Sequence, residues 1–302
     1  MKKSTRDWLI FATVLVLLGA AGFCAMMTRL HWDFTALSAA EYRTETAVIR
    51  DGFRSVNISG DVEDITLLPA TDGQCRVEFC DLSSVKHKTE VGAEGVLFIS
   101  REDERSGLGR LSLFGFDSPK ITVYLPEREY LYLTVRTDTG DVVVPGDFLF
   151  GQIVIRAGTG DVSCAASSVT ELRIETSTGD IRLEGVTAES VTLSVSTGDV
   201  SLKGLSCRSL VSEGSTGRLR MEDVIAAEAI TVKRSTGDVA FTRCDALTLS
   251  ITTGTGDVEG SLLSTKQFTA SSSTGKVQLP PGGGEGNCRV STNTGDIRIT
   301  LA

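Results

Sequence analysis

Residues 191–202, VTLSVSTGDVSL, carry the pattern that decides the fold. Val191 and Leu193 precede the turn Thr197-Gly198-Asp199, and Val200 and Leu202 follow it. The residues between each pair, Thr192 and Ser201, are polar. An alternation of period two on both sides of a glycine turn describes two strands, each with one buried face.

The same unit recurs along the chain. Thr-Gly pairs end at Gly140, Gly160, Gly179, Gly198, Gly217, Gly237, Gly256, Gly275 and Gly295, at spacings of 19 or 20 residues. Two residues after each glycine stand Val142, Val162, Ile181, Val200, Leu219, Val239, Val258, Val277 and Ile297. Five before it stand Val135, Ile155, Ile174, Leu193, Ser212, Val232, Ile251, Ala270 and Val290, with Ser212 the one polar member. Seven after it, Val186, Leu205, Val224, Cys244 and Leu263 mark a corner in the middle coils. One such coil cannot bury its own apolar side, so coils must stack. The pattern predicts an all-β fold, a β-solenoid of about 19-residue coils resembling a parallel β-helix, with equivalent positions roughly 4.8 Å apart.

At the nine turns, glycine is expected to supply positive φ. Seven turns continue with Asp; Arg218 and Lys276 replace it in the other two. The Asp is expected to accept from its own turn backbone. A rival reading makes Asp141, Asp161, Asp180, Asp199, Asp238, Asp257 and Asp296 a column for Ca²⁺, but one carboxylate per coil is few for a cation that takes several oxygens. A water-ordering face of stacked threonines is a third reading. Threonine pairs two apart, Thr137 with Thr139, Thr176 with Thr178, Thr253 with Thr255 and Thr292 with Thr294, fit it, and Ala157, Val195, Gly214 and Arg234 interrupt it.

The first thirty residues stand apart. Residues 8–27, WLIFATVLVLLGAAGFCAMM, contain no charge and have the length that crosses a bilayer core. Lys2, Lys3 and Arg6 precede them. The positive-inside rule then predicts a cytoplasmic tail at 1–7, a single-pass transmembrane anchor at 8–27 and an extracytoplasmic remainder. A signal peptide cleaved near Ala20-Ala21-Gly22 is the rival. Cys24 follows Phe23, too large a neighbour for a lipidated cysteine. Residues 28–44 read as a linker, 45–130 as an irregular β N-terminal part of the solenoid, and 131–302 as its regular part. The segment 102–119 reads as a loop or hairpin. The chain ends inside a coil with TGDIRITLA, residues 294–302. That last coil is expected to be an open edge, read first as a frayed last coil and second as a site where a partner or another copy pairs by strand addition.

No catalytic, cofactor or metal residues emerge. The two histidines, His31 and His87, lie outside the repeats, and the seven cysteines have no zinc-like spacing. They read as free thiols. The net charge of −9 speaks against nucleic acid as a partner.

The stretches FRSVNISG at 53–60, GVLFIS at 95–100, ITVYLP at 121–126 and YLYLTVRTDTGDV at 130–142, followed by recurring STGDV or STGDI, carry a family resemblance. The chain resembles the DUF4097 β-strand-repeat proteins of bacterial envelopes, often labelled adhesins, over about residues 45–302. The resemblance implies a bacterial source and a solenoid, and no catalytic residues. Arg218, Lys276 and the corner Pro280-Pro281-Gly282-Gly283-Gly284 depart from the pattern. The expected function is a non-enzymatic, membrane-anchored binding or scaffold module for wall polymer, glycan or a membrane protein. The alternative is an envelope-stress regulator that acts through a membrane partner, since family members occur in such settings.

Overall fold

The computed structural model describes residues 3–29, 32, 42–82, 85–102 and 119–302. Most of the segment 102–119, expected as a loop or hairpin, and His31 lie outside the described residues. The chain divides into two compact units. One contains a helix, Lys3–Arg29. Its stretch Phe11–Arg29 has a mean hydropathy of 2.0, long and apolar enough to cross a membrane. Leu15, Val16, Leu17 and Leu18 lie on successive faces and are all exposed. A helix of this length and composition is shared by membrane anchors and signal sequences.

The other unit, Arg43–Glu104 with Ser118–Ala302, is the β-solenoid. Each layer has a long strand before the turn and a short strand after it, such as Thr187–Thr197 and Val200–Lys203. Layers pair in parallel, residue opposite residue: Leu193 faces Ser212 and Val200 faces Leu219. The core lies between the two resulting sheets. Leu172, Val191, Leu210 and Ile230 from one sheet are fully buried, as are Ile181 and Leu219 from the other. Burying a side chain of this size contributes roughly 1.5–3 kcal/mol, and every layer supplies several. Phe241 fills the space that Gly260 leaves empty in the next layer; a Cβ there would come within 2.3 Å of the Phe241 ring.

The corner column holds for Val186, Leu205, Val224 and Cys244, all buried. It fails at Leu263, which is 51% exposed. Leu262 takes the place, pairing with Cys244, because the register slips between Phe241 and Cys244. A second left-handed corner, one residue earlier, is filled by Gly185, Gly204, Asp223 and Arg243, with φ of +50° to +67°. Asp adopts this region more readily than most residues. Arg243 joins the Asp223 carboxylate through Nε at 2.7 Å and Nη2 at 2.5 Å.

Layers do not stack in chain order at either end. The strand Asn287–Thr294 lies between the Gly256 layer and Gln267–Thr274. Likewise Ile297–Leu301 lies between Val258–Leu262 and Val277–Gln278. The coil of Gly295 is therefore inserted, and the coil of Gly275 is outermost. This corrects the expectation that the C-terminal coil forms the open edge: Asn287–Thr294 and Ile297–Arg298 pair on both sides, and Ile299–Leu301 on one. The free edge belongs to residues 267–279, and there Val277, expected in the core, is 41% exposed and Leu279 is 37% exposed. The Pro-Gly corner is the return crossing. It passes so close to the outward connection that a Cβ on Gly284 would lie 1.9 Å from Thr265 O.

The N-terminal end repeats this interchange. Strand Ser55–Ser59 lies between Val96–Glu102 and Glu129–Thr139. Asp64–Pro69 lies between Lys120–Leu125 and Val142–Val144. Here, however, antiparallel strands cover the outermost layer. Cys75–Leu82 pairs with Lys120–Leu125, and Lys86–Val91 pairs with Val96–Glu102. The crossing at Pro126–Arg128 is tied down. Arg128 Nη2 donates to Phe53 O at 2.7 Å, and Tyr130 OH donates to Pro126 O at 2.8 Å.

Candidate functional site

The nine turn glycines form one column along the stack. Eight have φ between +128° and +149°; Gly275, in the outermost layer, lies outside this left-handed range. Space restricts them as well. A Cβ on Gly179 would lie 2.0 Å from Gly160 O, and one on Gly275 would lie 2.0 Å from Gly295 O. Turns pack backbone on backbone, and no side chain fits between.

The aspartates beside them do not close their own turns. Each Oδ1 accepts the backbone N–H of the equivalent residue in the next layer: Asp161 N to Asp141 at 2.8 Å, Asp180 N to Asp161 at 2.8 Å, Asp199 N to Asp180 at 2.9 Å. Arg218 N donates to Asp199, ending this run of the ladder, and Asp257 N takes it up again from Asp238. The order at the open end follows the spatial layers, Asp296 N to Asp257 and then Lys276 N to Asp296. Among the described residues no further layer follows Lys276 to donate, so a carboxylate there has no ladder role. The second oxygens of Asp161 and Asp180 each accept from Arg182 at 2.8 Å. Arg182, and then the backbone N–H of Asp180, hold the Asp161 carboxyl below its ordinary range. These bonds engage both oxygens of Asp161 and Asp180 and Oδ1 of the other five turn aspartates.

The threonine pairs are split between inside and outside. Thr137, Thr176, Thr253 and Thr292 are buried, and their hydroxyls donate to carbonyls of their own turns. Their partners two residues on, Thr139, Thr178, Thr255 and Thr294, are exposed.

Three irregular positions of the repeat meet at one place. Ser212, Gly214 and Arg234 lie in adjacent layers of the same sheet. The Arg234 guanidinium lies over Gly214, where a Cβ would come within 2.5 Å of Nη1. Its Nη2 donates to Ser212 Oγ at 2.9 Å and its Nη1 to Lys233 O at 3.2 Å. Burial pushes the Arg234 pKa down to about 10. A surface cleft of about 330 Å³ opens here, lined by Ser196, Glu213, Gly214, Ser215, Lys233 and Arg234 among others. The sequence showed each departure singly; their convergence needed the register.

The cysteines are free. Burial pushes Cys75 and Cys164 up to about 12, and Cys207, Cys244 and Cys288 up to about 11. Thiols held protonated in this way are poor nucleophiles.

A family model described as Toastrack DUF4097 matches residues 53–300. None of the curated proteins matches the sequence significantly. Among solved structures, a candidate adhesin of Parabacteroides merdae aligns with a TM-score of 0.52 at 11% identity, covering 87% of this chain and 98% of that one. A candidate adhesin of Parabacteroides distasonis aligns with a TM-score of 0.53 at 12% identity, over the same shares of the two chains. At these identities the likeness shows the fold.

Proposed function

From the premise that the chain belongs to the DUF4097 family, we propose that it is a non-enzymatic, membrane-anchored module of the bacterial cell envelope, displayed outside the cytoplasm as an adhesin or scaffold. The observation that carries this reading is the regular run of layers from Gly140 to Gly256. Coil length there varies by one residue, so no insertion walls a groove into a catalytic pocket. What the faces offer is repetition. Exposed columns of Ser, Thr and charged side chains recur at the layer spacing, and this suits extended ligands such as glycan or wall polymer. The apolar helix supports a membrane location, and the protonated thiols support the absence of thiol catalysis.

Affinity capture of the full chain from its native membrane after mild crosslinking tests the proposal. Wall polymer or surface glycan, retained by the native protein and lost on unfolding, is the expected result. Stoichiometric capture of a membrane signalling protein with no polymer would overturn it in favour of a regulatory role. In that event the envelope-stress reading takes its place.

A further inference from the structure

The capped end of the stack gathers three side chains that are far from any metal-motif spacing. Glu63 sits in the turn between Ser55–Ser59 and Asp64–Pro69. Asp81 lies near the end of strand Cys75–Leu82, and His87 lies in strand Lys86–Val91. All three side chains are buried, exposed by 0%, 4% and 3%. One donor atom from each lies within 4.8 Å of the others.

The histidine gives the cluster its direction. His87 Nε2 is buried and makes no hydrogen bond. It stands 3.5 Å from Asp81 Oδ2 and 3.9 Å from Glu63 Oε1, aimed between them. Those separations are long for hydrogen bonds to a carboxylate. They are close to what a shared ion imposes: zinc binds nitrogen and carboxylate oxygen at about 2.0–2.2 Å, which sets tetrahedral donors roughly 3.4 Å apart.

The surroundings hold the donors in place. Glu63 Oε2 accepts the backbone N–H groups of Asp61 at 2.7 Å and Val62 at 3.0 Å. Oε1 accepts from Arg101 Nη1 at 3.0 Å and retains a lone pair. Stacking on Phe79, with ring centroids 4.3 Å apart, fixes the plane of the imidazole. Supporting contacts of this kind orient metal ligands. Arg101, the cross-strand partner of His87, donates to the same Glu63 Oε1 and is the contact that a bound cation would have to displace or share.

We propose that Glu63, Asp81 and His87 bind one divalent transition-metal ion of the zinc class, which fastens the antiparallel cap to the turn between Ser55–Ser59 and Asp64–Pro69. One imidazole with two carboxylates suits zinc and its borderline neighbours better than Ca²⁺, which prefers oxygen throughout. The role is structural: the ligands come from three segments, and the ion joins them.

The test uses the full chain in detergent, without an affinity tag and stripped by a chelator. Zn²⁺ is added in competition with a chromophoric chelator, and thermal unfolding is followed in parallel. One equivalent bound, with a rise in Tm, is expected, and both should be lost in His87→Ala and in the milder His87→Gln. X-ray absorption of the zinc-loaded native protein covers the case in which the variants fail to fold; it should show imidazole nitrogen and oxygen around the ion. Absence of stoichiometric binding, undiminished binding by folded variants, or sulfur ligation from the cysteines would each overturn the proposal.

Discussion

At the N-terminal end of the stack, Cys75–Leu82 and Lys86–Val91 turn antiparallel and cover the outermost layer, so that Leu97 and Ile121 are fully buried there. At the other end Gln267–Thr274 and Val277–Gln278 are the last strands, and their column residues Val277 and Leu279 meet solvent. Both ends use the same interchange, in which the chain overshoots by one layer and a neighbouring coil fills the gap. A protected core therefore requires more than the repeat. It requires a segment that leaves the repeat and pairs in the opposite direction, ending the sequence of identical edges.

The largest expected effect separates the two ends directly. Leu97→Ala should lose about 2–5 kcal/mol, the range for emptying a buried leucine site, while Val277→Ala at the exposed edge should stay within about 0.5 kcal/mol. Denaturant unfolding of both variants checks this, and equal losses would mean that the open end is covered in solution. Next comes the tied crossing at the capped end. Arg128→Ala removes the bond to Phe53 O and a guanidinium 4.8 Å from the Phe53 ring centre. It should lower stability by roughly 1.5–3 kcal/mol, as for hydrogen bonds from charged groups. Thermal unfolding would show it, and an unchanged Tm would mean that the crossing needs no such tie.

The carboxylate ladder gives a smaller contrast. Asp161→Ala leaves the N–H of Asp180 without its acceptor and frees one arm of Arg182. A loss of about 1–2 kcal/mol is expected, with hydrogen exchange at Asp180 accelerated. Lys276→Asp, in the layer with no successor, should be neutral. Stabilisation by Lys276→Asp would show that another layer, from a second molecule, docks on this end.

The smallest difference concerns two thiols with similar burial. Cys75 in the cap strand and Cys288 in the inserted layer near the open end are 4% and 1% exposed. Static accessibility makes them nearly equivalent, but local opening is cheaper at the end whose last layer has no antiparallel cover. Timed alkylation with mass spectrometry should therefore label Cys288 first. Earlier labelling of Cys75 would place the weaker end at the cap.

Much of this architecture is legible in the residues. The columns around Val142, Ile181 and Val200 are fully buried or nearly so, because side chains on alternate positions of a strand have only one apolar place to go. The polar departures Ser212, Gly214 and Arg234 were visible as irregularities, yet their joint meaning rests on cross-layer register. The Glu63, Asp81 and His87 cluster left no trace in spacing, since its members converge through a hairpin and a turn.

By itself, then, the sequence determined the repeat, the two buried faces, the glycine turns and the apolar helix, all of which follow from local stereochemistry and periodicity. The tertiary structure alone decided the order of the layers. Every coil presents the same columns, so any coil satisfies any other, and the periodicity is indifferent to which neighbours meet. The connections break that degeneracy: Pro126–Arg128 at one end and residues 263–266 at the other carry the chain past a layer, and the glycine-rich 280–286 returns it to the layer that was skipped. The same indifference explains the aspartates. Their partners lie one layer away in space, and only the stacking order says which layer that is.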